Sequence, residues 1–312
     1  MDVTPAVAPH TGEEQMERFS PGEEMLPGLL AWVMLGDGRR TETWLAWSTE
    51  LWTPVAVKLP VAELVHRPES AARLAVEAAT LAALRHPAIE RLLIDRHDHA
   101  IPHLVKEYVE GPNLAQLVDA EGPFEAADAI RLAMQLACGL HHLHHQGLVH
   151  LDLKPHNVVL REGRAVILDL DLAKPAGTEV PTGRRRAEGS APWMAPEQCR
   201  MRPAHPRMDV FALGAVLYEV STGARPFQDD PTTYPQLTTR PRPPRTVRPE
   251  VTPELDRVIT TLMEPDADRR PGSAAEALRL LEDALPAGEE GLWPEWASAL
   301  LRGDLPPERA RR

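Results

Sequence analysis

Between Leu26 and about Leu59 the chain runs in short apolar stretches rich in Trp and Val. They are broken at Gly36-Asp37-Gly38 and at Thr53-Pro54, which predicts consecutive antiparallel strands. The period then changes. From Ser70 to Arg85 apolar residues recur at helical spacing through Leu74, Val76, Leu81 and Leu84, behind a Pro-Glu-Ser start that opens a helix. Two more strand-like segments, Arg91 to Asp95 and His103 to Val109, end at Gly111-Pro112. Beyond that point helical patterns dominate, over Ile130 to His145, Val210 to Ser221, Glu254 to Met263 and Ser273 to Leu285, the last two following a Pro-rich segment at 241–249. The pattern predicts an α+β chain, with a small β-rich part (26–110) before a larger, mainly helical part (111–285). Residues 1–25, polar and punctuated by Pro5, Pro9 and Pro21, read as a flexible tail. Residues 286–312 form a second tail, in which Trp293, Trp296, Leu300 and Leu301 set out a short amphipathic helix that docks either on the chain itself or on a partner.

Composition narrows the function without naming it. A chain of 312 residues, 43% of them hydrophobic, is long enough for two ordinary domains or one large bilobal one. A formal net charge of -12 argues against bulk nucleic-acid binding, because phosphate backbones are met by clustered Lys and Arg. Cys138 and Cys199, far apart in sequence, give neither a disulfide framework nor a Cys-based zinc site, and fit a reducing, cytoplasmic setting. The N-terminus lacks the basic start and apolar stretch of a secretory signal. No run of roughly 18 apolar residues is available to span a membrane. The expectation is a soluble cytoplasmic protein that binds no membrane and no nucleic acid.

The segment with most chemistry is His150-Leu151-Asp152-Leu153-Lys154-Pro155-His156-Asn157, where Asp, Lys and Asn sit together in a loop between apolar runs. Such a loop aims three different polar groups at one point. In order along the chain there are also Leu35-Gly36-Asp37-Gly38, Val55-Ala56-Val57-Lys58, Glu77 nine residues before His86-Pro87, and Asp169-Leu170-Asp171 after Val166-Ile167-Leu168. Gly189-Ser190-Ala191-Pro192-Trp193-Met194-Ala195-Pro196-Glu197, Asp209-Val210-Phe211-Ala212-Leu213-Gly214 and Arg270-Pro271 follow. Together these motifs, spread over about residues 30 to 285, resemble the eukaryotic-like (Hanks-type) bacterial protein serine/threonine kinase family.

The resemblance implies a bilobal protein-kinase fold, with a five-stranded antiparallel N-lobe sheet plus one helix and a mainly helical C-lobe, and ATP in the cleft. It implies that Asp152 is the catalytic base and that Lys154 stabilises charge at the γ-phosphate. Lys58, steered by Glu77, would hold the α- and β-phosphates, with Gly36 and Gly38 letting backbone amides approach them. Ala56, Glu107, Val109 and Val159 fall where the family holds the nucleotide, and Asn157 and Asp169 where it ligates Mg2+ or Mn2+. Lys154 two residues after Asp152, with Gly-Ser-x-x-Trp before Ala-Pro-Glu, is similar to Ser/Thr rather than Tyr kinases. Glu197 and Arg270 resemble the family's buried ion pair. The implied partners are protein substrates bearing Ser or Thr, and a regulatory partner acting through the tails.

The sequence departs from the family at several places. Thr41 stands for the third Gly of the phosphate loop and Thr43 for the apolar residue above adenine. Leu151 replaces the Arg that receives a phosphate on the activation segment, so activity is expected not to need that phosphate. Asp171 replaces the Gly of the magnesium motif, and Lys106 falls beside Glu107-Tyr108-Val109 where uncharged side chains are usual, for which the sequence offers no reason. Two alternatives stay open: a pseudokinase serving as a nucleotide-binding or interaction module, and a small-molecule phosphotransferase. His141 and His145, four apart on one helix face, pose a metal reading against a plain helix. Arg184-Arg185-Arg186 poses recruitment of acidic substrate against a solvated run, and Pro241-Arg242-Pro243-Pro244 a polyproline ligand against a plain connection.

Overall fold

The structure, a computed structural model, describes residues 18–180, 186–230, 232–289 and 291–293. The chain divides into two compact units: residues to Pro112 together with Asp169–Asp171, and the remainder.

In the first unit the strands are β1 (Glu24–Leu26), β2 (Leu29–Asp37), β3 (Thr41–Ser48), β4 (Thr53–Pro60), β5 (Leu92–Arg96) and β6 (His103–Glu107). Helix α1 (Pro68–Ala83) lies between β4 and β5 in sequence. The strands form one antiparallel sheet in the order β1-β2-β3-β4-β6-β5. Strand alternation gives this sheet two different faces. Trp44, Ala46, Val55, Val57, Leu59 and Val105 point to one apolar cluster with Met25, Leu26, Leu29 and Ala31. Leu104 points the other way and packs with Leu74 and Ala78 of α1. Alternation therefore also places Ala56, Lys58 and Lys106 on the α1 face.

The sheet has six strands rather than the five expected. The extra one is β1, and it belongs to a segment read from sequence as part of a flexible tail. Residues 18–25 lack an apolar period, but a few contacts tie them down. Phe19 meets Trp44 edge-on at 5.4 Å, Arg18 pairs with Glu42 at 2.5 Å and donates to the Pro60 carbonyl, and the Gly22 amide donates to the Ala31 carbonyl.

The second unit holds α2 (Leu114–Glu121), α3 (Ala126–His145), β7 (Leu148–Val149), β8 (Val158–Arg161), β9 (Arg164–Ile167), β10 (Lys174–Pro175), α4 (Pro196–Cys199), α5 (Pro206–Thr222), α6 (Pro244–Val247), α7 (Pro253–Leu262) and α8 (Ala274–Glu282). Helices α3 and α5 run through its centre, with Leu136, Leu140, Phe211 and Val216 fully enclosed. Helix α5 is buried along Met208 to Ser221, which is why its sequence is apolar all round instead of striped. Strands β8 and β9 form a hairpin, and β7 pairs with β10. Leu292 and Trp293 pack against this core, while Trp296, Leu300 and Leu301 lie outside the described residues. No helix among the described residues is long and apolar enough to cross a membrane.

Candidate active site

The first unit carries a buried charge cluster on the α1 face of its sheet. Antiparallel pairing sets Lys58 of β4 opposite Leu104 and opposite Thr43 of β3. The Lys58 ammonium lies 2.8 Å from Glu77 Oε2 of α1 and 2.7 Å from Asp169 Oδ1. Burial pushes that ammonium down, but the carboxylates of Asp169 and Glu77 outweigh it and hold Lys58 well above the ordinary lysine range. It is thus a fixed positive charge. Asp169 itself has a left-handed backbone, φ 62, a conformation that residues other than glycine hold only where the surroundings offset its cost, though aspartate tolerates it better than most. Its amide donates to Glu90 Oε1 at 2.7 Å. The positive φ thus falls at Asp169, not at Asp171 where the family's Gly would stand.

Between β2 and β3, Gly36 faces open space: nothing lies within 4 Å of where its Cβ would be. Gly38 is required for a different reason, because a Cβ there would meet the Thr41 carbonyl oxygen at 2.7 Å. Ala56 and Val109 are buried, and the Glu107 amide is spent on the Arg91 carbonyl while its carboxylate pairs with Arg91 at 2.9 Å.

The second unit carries the loop at 150–157. Its shape is imposed by Asp209 of α5, a fully buried carboxylate that accepts from the amides of His150 (2.8 Å) and Leu151 (2.9 Å) and faces His144 Nε2 at 2.8 Å. Burial pushes Asp209 up, but the His144 ring and the His150 amide more than offset it, so the carboxyl sits below the ordinary range. These bonds hold Leu151 at φ 68, a left-handed backbone that a leucine does not adopt freely. Gln198 completes the hold by donating to the Leu151 carbonyl at 2.7 Å.

With the loop so fixed, Asp152, Lys154 and Asn157 converge. Lys154 Nζ is 3.0 Å from Asp152 Oδ2, and Asn157 Nδ2 donates to the Asp152 carbonyl at 3.0 Å and, more weakly, to Oδ2 at 3.4 Å. Ser190 closes the group from the other side. Its amide donates to Asp152 Oδ1 at 2.8 Å, and its hydroxyl accepts from Lys154 at 2.8 Å. Gly189 makes this approach possible, since its φ is 126 and a Cβ would meet Gln198 Nε2 at 2.7 Å. Val159 on β8 is buried and bridges to Asn113. Farther along, Arg270 Nη2 meets Glu197 Oε2 at 2.6 Å and lies over the Phe211 ring, the expected buried pair.

The structure therefore groups Lys58, Glu77 and Asp169 in one unit and Asp152, Lys154 and Asn157 in the other, with Gly36, Gly38, Ala56, Glu107 and Val109 in the first and Val159 in the second. Sequence reasoning missed Ser190, Glu90 and Asp209 as parts of these groups. Ser190 and Asp209 stood inside recognised motifs, whereas nothing local marked Glu90. Lys106, unexplained by sequence, is buried and pairs with Glu90 at 3.0 Å and Glu77 at 3.4 Å. His141 and His145 stack on the α3 surface, and no group of three or more His, Cys, Asp and Glu among the described residues is arranged to hold a metal. Arg184 and Arg185 lie outside the described residues.

Comparison with known proteins gives the same picture. The family model described as "Protein kinase domain" matches residues 32–281. The chain is 34% identical over 254 residues to the serine/threonine-protein kinase PknB of Mycolicibacterium smegmatis, covering 78% of this chain and 40% of that protein. It is 32% identical over 253 residues to the probable serine/threonine-protein kinase SCO3848 of Streptomyces coelicolor, covering 78% and 38%, and 33% identical over 254 residues to PknB of Mycobacterium tuberculosis, covering 78% and 40%. The alignments thus take in about two fifths of these relatives' length. The motif order, the β-rich and helical units and the family match agree, and the chain belongs to the protein kinase domain family.

Proposed function

We propose that the chain transfers the γ-phosphate of ATP to Ser and Thr hydroxyls of protein substrates. The observation that carries this reading is the Asp152 carboxylate, oriented by the Ser190 amide and Lys154 and backed by Asn157. A carboxylate fixed at both oxygens is placed to accept a hydroxyl proton without first reorganising. Lys154, an ammonium held beside that base, stabilises negative charge as the phosphoryl group transfers. The Lys154–Ser190 hydroxyl contact and the similarity to serine/threonine-protein kinases favour Ser/Thr over Tyr.

The nucleotide's parts find matching chemistry. Lys58, kept cationic by Glu77 and Asp169, suits the α- and β-phosphates, and the open space at Gly36 leaves room for phosphate oxygens beside backbone. Ala56, Val109 and Val159 are buried apolar side chains suited to adenine, with the backbone of Glu107 and Val109 as its polar edge. Asn157 spends its amide nitrogen on Asp152, so its carbonyl oxygen is the end presented to a cation, and Asp169 offers carboxylate oxygens. Oxygen donors of this kind fit magnesium or manganese. A metal held there would supply positive charge that offsets the negative charge of the phosphates. We assign residues 26–285, with the strand-forming residues 18–25 packed onto them, to the catalytic part, the remaining tails to contacts with a regulatory partner, and, from the unpaired Cys138 and Cys199, a cytoplasmic location.

The test is transfer from radiolabelled ATP with magnesium to the protein itself and to a generic basic protein, comparing wild type with Asp152→Asn and Lys58→Met. Transfer lost in both variants, with phosphoserine or phosphothreonine in the wild-type product, is expected. A folded wild type that binds ATP and transfers nothing would move the reading to a pseudokinase.

A further inference from the structure

Lys58 and Lys106 lie diagonally across the β4–β6 pair, because Lys58 faces Leu104 and Ala56 faces Lys106. Diagonal neighbours on one sheet face are close enough for long side chains to interact. Both ammonium groups are buried, so the fold carries two like charges side by side where desolvation is most costly. A neutral side chain of similar volume at position 106 would remove that cost.

The contacts of Lys106 show what the charge does. Glu77 offers one oxygen to each lysine, Oε2 to Lys58 at 2.8 Å and Oε1 to Lys106 at 3.4 Å. The two ammonium groups thus bear on opposite oxygens of one carboxylate, Lys58 through the shorter contact and Lys106 through the longer one. Lys106 then passes to Glu90 at 3.0 Å, and the same Glu90 oxygen accepts the Asp169 amide at 2.7 Å. Since Asp169 Oδ1 lies 2.7 Å from Lys58, the chain of contacts closes: Lys58, Glu77, Lys106, Glu90, Asp169 and back to Lys58.

We propose that Lys106 and Glu90 are positioning residues for phosphoryl transfer, Lys106 fixing the Glu77 carboxylate beside Lys58 and Glu90 fixing the backbone from which the Asp169 carboxylate projects. Neither touches substrate in this role. It rests on the kinase reading above, and it explains the presence of a lysine that sequence alone left without a reason. Helix α1 and the Asp169 backbone are each located by a side-chain charge that no modification has to supply.

The experiment is a cycle of Lys106→Met, Glu90→Gln and the double variant in the full chain, measuring melting temperature, kcat and KM for magnesium-ATP. Either single change leaves a buried charge unbalanced and lowers stability as well as rate. The double variant is electroneutral, keeps an oxygen for the Asp169 amide, and is expected to recover most of the melting temperature. A positioning role predicts that its kcat/KM nevertheless stays about tenfold to a hundredfold below wild type, the usual cost of loosening groups that orient catalytic ones. A purely structural role predicts that rate returns with stability, which would overturn the proposal. If the double variant melts below the assay temperature, Glu90→Gln alone is judged by the same comparison where it is folded. If wild type transfers no phosphate, the kinase reading fails, and the magnesium-ATP Kd decides instead: about tenfold weaker in the double variant supports positioning, and an unchanged Kd overturns it.

Discussion

Arg73 Nη2 lies 2.9 Å from Asp171 Oδ2, tying α1 to the segment that also carries Asp169. Arg73 precedes Glu77 by one helical turn, so both project from the same side of α1. The pair is partly exposed, with side chains at 31% and 23% of full exposure, and is worth no more than about 1 kcal/mol in stability. Its effect is on local order. Asp171 does not use a left-handed backbone, so Asp171→Gly relieves no strain; it removes the tether and adds backbone freedom, and both loosen the segment. We predict that Asp171→Gly leaves the melting temperature within a few degrees of wild type but speeds hydrogen exchange at residues 169–173. Unchanged exchange there would show that the pair orders nothing.

Activation-segment phosphorylation is expected to be dispensable. Leu151 occupies the place of a phosphate-binding arginine, and Asp209 and Gln198 already fix that backbone without help from a phosphate. Lys174 of β10 is paired with Glu188, a permanent carboxylate shortly before Gly189-Ser190. Thr178 is committed to structure, its hydroxyl donating to the Pro175 carbonyl at 2.6 Å, and Thr182 lies outside the described residues. Thr178→Ala with Thr182→Ala is predicted to leave phosphate transfer within about twofold of wild type, since no new charge pairing is lost. Glu188→Ala is predicted to reduce it. A large loss in the double Thr variant would mean that a phosphate supplies order that Glu188 does not.

What the sequence made legible follows from the range of each signal. The short apolar stretches and their breaks from Leu26 to about Leu59 and the helical period around Leu74 and Leu81 are local, and they placed β2, β3, β4 and α1 to within a few residues. Motif order pointed to Lys58, Asp152, Asn157 and Asp169 through short recognisable strings, and to Glu77 through its spacing from His86-Pro87. Strand β1 escaped because its stability comes from Phe19 on Trp44 and Arg18 on Glu42, contacts made with residues far along the chain. Lys106 and Glu90 escaped for the same reason. A buried lysine looks anomalous until the carboxylates that neutralise it are brought beside it by β5, β6 and α1 packing.

Asp209 offers a test of how the loop at 150–157 is held, because its contribution depends on pH with a definite sign. Its folded value lies below the ordinary carboxylate value of about 3.9, through the His144 ring and the His150 amide working against burial. A carboxyl lowered on folding stabilises the protein at every pH above its unfolded value, and that contribution is lost as the pH falls through the folded value. Asp209→Asn keeps the size but replaces the charge, and one end of the new amide presents hydrogens where a donor already points. The cost is about 3–5 kcal/mol, that of breaking one side of a buried, hydrogen-bonded charge. It also releases Leu151 from φ 68, so transfer should fall with stability. Melting curves of wild type and Asp209→Asn between pH 3 and 8 are predicted to show a constant gap above about pH 5 that narrows below about pH 4. A gap that widened on acidification would contradict the lowered value.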